Sequence, residues 1–402
     1  MHVLLVALQQ QVAASREQPE GRGTAPALLA RLEAEQALAM ASALHAGGTF
    51  SPLLVCIRGS RLHAEATAGG LPVLAVSGAA SLAAHVRLWR WQRARDFLLI
   101  QTVGEASALL GRRVLAMRKK GSATLSHAFF VRPPAPELAR GRALREARHV
   151  FCGSGHVRDR IRERWEALPE KRRPSATLEL LPPGIPLADY LPQPEAWPGA
   201  AGGERCIFGM GESLAAHSGA LLMVRAMAAL WQREDLPPWE VRMFGAGPRF
   251  EEVLHEAVSL GVAGRLCILG AQPPAEAVRQ CAAWVAPGTS PEELPQTLWA
   301  GVAAGLPLIC AQSGLHRERL AGMPPMTAVR IRERDPQALA QALIAVMRDE
   351  RLRARMRQAA ESVRPRIGLA ATAAHFCTFC EEVAAKKPEG GAWAQDSLIA
   401  ER

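Results

Sequence analysis

The sequence predicts an α/β protein built as two doubly wound, Rossmann-like domains facing a cleft. Three observations carry this. The 402 residues exceed what one hydrophobic core usually organises, so two domains of roughly 150–200 residues are expected. Short apolar runs alternate with amphipathic stretches from end to end, the pattern of parallel sheets covered on both faces. Residues 191–203, LPQPEAWPGAAGG, are rich in Pro, Gly and Ala, lack periodicity, and separate two such series.

In the first series, strands are expected at residues 2–7, 53–57, 72–76, 97–102, 113–117, 149–153 and 177–181. The second series places them at 205–209, 240–244, 265–269, 282–286 and 307–311. Most are apolar on both faces and end near Gly, Ser or Pro. Helices are expected at 27–46, 220–232, 250–260 and 336–347. This gives a first domain over 1–190, a linker over 191–203 and a second domain over 204–370. A helix over 371–385 is expected to brace the first domain, and a poorly ordered tail to follow over 386–402.

Composition excludes several classes. Hydrophobic residues make up 49% and charged ones 21%, so wholesale disorder is excluded. No run of about 18 uncharged apolar residues occurs, so no transmembrane helix is expected. The opening MHVLLVAL lacks a basic leader and a cleavage site, and reads as a first buried strand. Eight scattered cysteines suggest no disulfide framework and a reducing cytoplasm. With 48 Lys and Arg against 38 Asp and Glu, the net charge of +10 suits a nucleotide diphosphate, a membrane surface or nucleic acid.

In the second half a strand runs into Gly209, Gly211 and Ser213, and a helix follows His217, Ser218 and Gly219. Glycines ahead of a helix place backbone N–H groups where phosphate can dock. Leu214 stands where a dinucleotide fingerprint needs Gly or Ala. Gly245 and Gly247, followed by Pro248 and Arg249, offer either a second phosphate-side loop or a tight strand-to-helix turn. Gly270 ends the third strand and could let backbone press against a flat base. The segment from Pro287 to Pro307, PGTSPEELPQTLWAGVAAGLP, puts Glu292 and Glu293 ahead of a helix opening with Pro295, Gln296 and Thr297. Carboxylates there either accept hydrogen bonds from sugar hydroxyls or simply cap the helix dipole.

The order P-x-x-S-x-E, x-L-P-Q-x-L, x-A-A-G-L-P resembles the donor-site signature of retaining, GT-B-fold glycosyltransferases of family four (glycosyl transferases group 1). Leu181-Pro182-Pro183-Gly184-Ile185-Pro186 through Tyr190-Leu191-Pro192 resembles the segment closing that family's N-terminal domain. Gly245 to Pro248 resembles its G-x-G-P, Gly270 its strand-end glycine at the base, and Phe151 to Ser154 its strand before the domain-closing helix.

The resemblance implies a GT-B enzyme whose first domain binds the acceptor and whose second binds a nucleotide sugar. Glu292, or the adjacent Glu293, matches the glutamate touching the donor sugar; the second glutamate, which holds the ribose, is Ala300 here. The Arg and Lys that clamp the diphosphate fall at Glu212–Ser213 and just before Gly219, where this chain has no basic pair. His217, Arg249 and Arg317 are the cations considered in their place. His127 follows a region where the family carries a histidine near the reacting sugar, and otherwise reads as a satisfied hydrogen-bonding residue. Arg22, Gly23 and Thr24 stand at the acceptor-facing first loop.

The implied function is hexosyl or heptosyl transfer from a nucleotide-diphosphate sugar to a bacterial surface-glycan acceptor, free or lipid-linked, of lipopolysaccharide or capsule type. The resemblance implies retention of configuration and no metal or other cofactor. The runner-up is a catalytically weak homologue acting as a scaffold. Residues 85–95, dense in Arg and Trp, read either as a surface for anionic membrane at the inner face or as a solvated helix with Trp packed inward. No nucleic-acid-binding signature accompanies the basic charge. Cys377 and Cys380, with His375 nearby, lack a second ligand pair and read as structural.

Overall fold

The computed structural model describes residues 1–8, 25–78, 88, 97–116, 123–192 and 205–386. Arg22, Gly23 and Thr24, nearly all of 85–95, most of the expected linker and the tail beyond Lys386 lie outside these residues. Leu88 is described, and it is buried.

The chain divides into two compact units, one dominated by Leu29–Gly184 and the other by Ile185–Gly368. The first contains β1 (His2–Ala7), α1 (Ala25–Ala46), β2 (Ser51–Ile57), α2 (Arg61–Ala68), β3 (Val73–Val76), β4 (Phe97–Val103) and α3 (Glu105–Ala116). It continues through β5 (Thr124–Phe129), the short α4 (Pro136–Arg140) and α5 (Arg142–Arg145), β6 (His149–Cys152), α6 (Gly155–Glu166) and β7 (Thr177–Leu180). All seven strands are parallel, in the order β3-β2-β1-β4-β5-β6-β7. Such a sheet needs cover on both faces, which is why β1 and the first four residues of β4 read as apolar runs.

The second unit contains β8 (Cys206–Met210), α7 (Ala220–Trp231), β9 (Trp239–Met243), α8 (Phe250–Ser259), β10 (Leu266–Ile268), α9 (Pro274–Ala277) and β11 (Ala283–Ala286). After these come α10 (Pro295–Ala303), β12 (Leu308–Ala311), α11 (Gly314–Arg319), β13 (Val329–Ile331), α12 (Pro336–Arg348) and α13 (Glu350–Ile367). Its parallel strands run β10-β9-β8-β11-β12-β13, the doubly wound order in which ligands bind beyond the carboxyl ends of the strands. The final helix, α14 (Leu369–Ala385), returns to the first unit. There Phe379 meets Phe151 edge-on at 4.8 Å, and Thr372 Oγ1 donates to the Pro182 carbonyl at 2.8 Å.

Two readings need correction. Residues 113–117 are not a strand: through Ala116 they complete α3, whose buried Ser107, Ala108, Leu110, Gly111 and Val114 follow a helical period while Arg113 faces outward. The strand of that region is β5, hidden from an apolar-run search by Thr124, Ser126 and His127, all buried. The division between units falls at Gly184, so residues 185–190 belong to the second unit and not the first. Ile185 N–H donates to the Ile367 carbonyl at 2.9 Å, and Arg364 Nη2 to the Tyr190 carbonyl at 3.2 Å. On the other side of the cut, the buried Gln36 side chain bonds Gly184 at both its carbonyl and its N–H.

Trp284 on β11 organises one face of the second sheet. It is fully buried and stacks on Phe244, with ring centroids 6.2 Å apart. Its Nε1–H donates to the Thr297 carbonyl on α10 at 2.7 Å. The indole fits because its neighbours carry no side chain: Gly209 is its Cα partner on β8, and a Cβ on Gly209, Gly211 or Gly301 would stand inside contact distance of the ring or its stem. A Gly301→Ala variant gains about 1 kcal/mol of helix propensity but overpacks Trp284, a cost of about 1–3 kcal/mol. Net destabilisation is expected in urea denaturation, and an unchanged or raised midpoint would refute this account of the slot.

Candidate active site

The loops beyond the carboxyl ends of β8, β9, β11 and β12 converge on one buried carboxylate. Glu212, just after β8, is 4% exposed. Gly219 N–H, at the N-cap of α7, donates to its Oε2 at 2.6 Å, and Gly288 N–H donates to its Oε1 at 2.7 Å. Gly245 is needed here because a Cβ would run into the Glu212 carbonyl, and a Cβ on Gly288 would strike its carboxylate. The chain's own acid thus occupies an anion seat at a helix N-terminus, where two backbone N–H groups and the helix dipole converge.

A second buried group lies across from it. Glu293 accepts from His316 Nε2 at 3.1 and 3.2 Å, and from Arg319 Nη1 at 3.4 Å. Arg319 Nη2 also donates to the Glu293 carbonyl at 2.6 Å. His316 Nδ1 faces the Ala311 carbonyl at 3.0 Å. Both ring nitrogens meet acceptors only, so both must donate, and the ring is an imidazolium. Its pKa is raised accordingly: burial pulls it down, but the charge and hydrogen bond of Glu293 outweigh burial.

This cluster sets the direction of the adjacent acid. With Glu293 drawn inward, Glu292 is left exposed at the head of α10, its N–H bonded to Ser290 Oγ at 3.3 Å. Thr297 is buried, with its carbonyl committed to Trp284, whereas the half-buried Gln296 keeps a buried Oε1 without a partner among the described residues. Ala300 lies at 0% exposure among Trp284, Leu298 and Val302. A carboxylate there would enter an apolar cluster.

Several expected phosphate ligands have other duties. Gly209 and Gly211 make room for Trp284, and Gly247 makes room for the Leu214 carbonyl. Arg249 is paired with Glu252 and donates to the Ala216 carbonyl at 3.4 Å. Gly270 has φ +73°, a conformation that favours glycine whatever lies nearby. Ser213 and His217 are exposed, Ser218 is half-buried and Gly219 is buried; the His217 carbonyl accepts from Thr289 N–H at 3.0 Å.

In the first unit, His127 is fully buried. Its Nε2–H donates to the Ala143 carbonyl at 3.1 Å, and its Nδ1 accepts from Thr102 Oγ1 at 2.6 Å. Burial pushes its pKa down to about 4 against the pull of the Ala143 carbonyl. It is a neutral tie between β4, β5 and α5, with no nitrogen left for a substrate, which corrects the catalytic reading. Among the described residues no group of three or more His, Cys, Asp or Glu could hold a metal ion.

Two parallel Rossmann-like units, with glycine loops and an acid-bearing helix start at the strand ends of the second, define the GT-B fold. Residues 197–363 match the family of glycosyl transferases group 1. That stretch is a group 1 domain, and the chain as a whole is similar to solved structures of the GT-B fold.

Solved structures are similar over nearly their full length. A glycosyltransferase from Rickettsia africae ESF-5 has a TM-score of 0.66 at 14% identity, covering 96% of this chain and 99% of that one. Anabaena Alr3699/HepE, solved with UDP-glucose, has a TM-score of 0.63 at 14% identity, covering 95% and 100%. The lipopolysaccharide outer core galactosyltransferase WaaB has a TM-score of 0.57 at 11% identity, covering 95% and 99%. No curated protein matches the chain in sequence.

The motif located the loops but missed their interior. In the sequence Glu212 shows only as an acid where the resembled motif has a cation, and His316 and Arg319 carry no signal beyond the Ser313 helix cap preceding them. Burial, with the Glu293 charge adding to it, pushes the Glu212 carboxyl up to about 7, while its two N–H donors and His316 pull the other way. An acid whose folded pKa exceeds its ordinary 4.5 loses stability as pH rises through that window. The raised His316 contributes stability below 6.5 and loses it as pH climbs through its folded value, so both run the same way. Glu212→Gln cannot ionise. Its stability deficit against wild type should shrink by about 2.5 kcal/mol between pH 5 and pH 8, read by urea denaturation at both. A deficit independent of pH would sink the assignment.

Proposed function

We propose that the chain transfers a hexosyl or heptosyl group from a nucleotide-diphosphate sugar to a bacterial surface-glycan acceptor of lipopolysaccharide or capsule type. In this reading transfer retains anomeric configuration, uses no metal, and takes place in the cytoplasm or at the inner face of its membrane. The group 1 domain supports the reaction class. The UDP-glucose held by the Anabaena protein supports a nucleotide-sugar donor, and WaaB supports the acceptor type. Among the described residues, no helix is long and apolar enough to cross a membrane.

The observation that carries the reading is the division of labour between neighbouring acids. Glu293 is spent on His316 and Arg319, which fixes the loop and leaves Glu292 exposed ahead of α10. Glu292 orients the donor sugar through its hydroxyls. The loop from Gly211 to Gly219 and the N-terminus of α7 face the departing diphosphate.

A second reading, a binding or scaffold subunit with little catalysis, is favoured by Glu212 itself. A carboxylate in the anion seat, with apolar packing around Ala300, removes two contacts a donor would use.

The two readings part on two measurements. Thermal shift against UDP, GDP, ADP and CMP and their sugar conjugates should stabilise the enzyme by about 2.7 kcal/mol at one hundred times Kd. Silence across the panel from folded protein supports the scaffold. With the donor found, Glu292→Ala should cost about a hundredfold in transfer while moving stability by no more than about 0.5 kcal/mol. Undiminished transfer would remove Glu292 from the mechanism.

A further inference from the structure

A group-transfer site that releases a diphosphate must meet its charge, and the inner anion seat is already filled by Glu212. Outside that seat, still within the second unit, lies a cavity of about 220 Å³. Its walls come from the loop before α7, the loop after β11 and the start of α12. The polar groups are His217, Ser218, Arg225, Thr289 and Arg334; Gly219, Leu222 and Pro336 complete the lining. None of this is visible in the donor motif, because Arg225 sits in the second turn of α7 and Arg334 ends the turn after β13.

We propose that this cavity is a phosphate-class anion site in which Arg225 and Arg334, with His217, supply the positive charge absent from the loop itself. Three observations carry it. Arg334 forms no ion pair among the described residues, and it is their one non-glycine residue at positive φ, +56°. Arg225 gives its Nε to Glu256 at 2.8 Å, which leaves its two terminal nitrogens as donors. Asp335, which follows Arg334, accepts from Ala338 N–H at 2.9 Å and so caps α12. Ser218 and Thr289 add hydroxyl donors suited to phosphate oxygens.

Size narrows the ligand. Sites that enclose a whole small molecule run to about 300–1,000 Å³. This cavity is smaller and fits a phosphate or diphosphate group, with any attached nucleoside or sugar projecting outward. The anion is the diphosphate of a donor or a free phosphate; the first source rests on the function proposed above.

The test titrates inorganic pyrophosphate, uridine, and UDP, GDP, ADP and CMP with their sugar conjugates by calorimetry into wild type, Arg225→Gln, Arg334→Gly and the charge-matched control Arg233→Ala. Arg334→Gly deletes the side chain while relieving the positive φ, so lost binding cannot be blamed on lost fold. Pyrophosphate is expected to bind wild type and Arg233→Ala alike, and to weaken about tenfold in each of the other two. Uridine is expected not to bind.

Pyrophosphate that fails to bind wild type, or binds all four proteins equally, overturns the site. If pyrophosphate depends on the two arginines but no nucleotide sugar binds, the site stands and the donor reading falls. If a nucleotide sugar binds wild type and Arg334→Gly equally, the donor reading stands and the site falls.

Discussion

The second unit depends on where one buried carboxylate finds its hydrogen bonds. A carboxylate removed from water needs donors for its lone pairs, or its desolvation costs several kcal/mol. Glu212 takes both from backbone: Gly219 at the start of α7 and Gly288 after β11. That choice fixes the distance between the two loops that bracket the strand ends. It also explains why Gly245 and Gly288 cannot carry side chains there. Two loops from strands adjacent in space but far apart in sequence are thereby clamped by one side chain.

Around that clamp, charge is distributed unevenly. Glu212 and Glu293 repel each other, and the imidazolium of His316 and the guanidinium of Arg319 lie on the Glu293 side. Burial, with the Glu293 charge adding to it, raises the Glu212 carboxyl to about 7, so near pH 7 it exchanges between its neutral and ionised forms. A protonated Glu212 repels an arriving anion less than an ionised one does. The inner seat consequently changes charge over the range in which a phosphate ligand would approach, and the outer arginines do not.

The fold was legible for a simple reason. Parallel strands buried on both faces are mostly apolar, so eleven of the thirteen among the described residues announced themselves as short, largely apolar runs. β5 failed that test because Thr124, Ser126 and His127 are polar yet buried, with His127 satisfied by Thr102 and Ala143. β13 is a three-residue edge strand containing Arg330, too short to show any pattern. The candidate site was legible only as loops. A motif reports which residue types stand at which spacing, and it marks Glu292, Gly219 and the α10 start as candidates. It cannot report that Gly209 serves Trp284, or that an acid after β8 turns inward.

The same limit explains how a loop can lack the basic pair of the motif it resembles and still sit in a fold of this class. Anion binding requires positive potential at a point in space, and the potential is indifferent to which segment supplies it. Spacing along one loop is only one way to place cations there. In a doubly wound sheet every βα loop ends on the same edge, so a residue after β13 and another on α7 can reach the same cavity as the loop after β8. Substitution within the motif, here Glu212 for a cation, then changes the internal scaffold of the site. The charge it would have carried is supplied by Arg225 and Arg334, residues that share no motif with it.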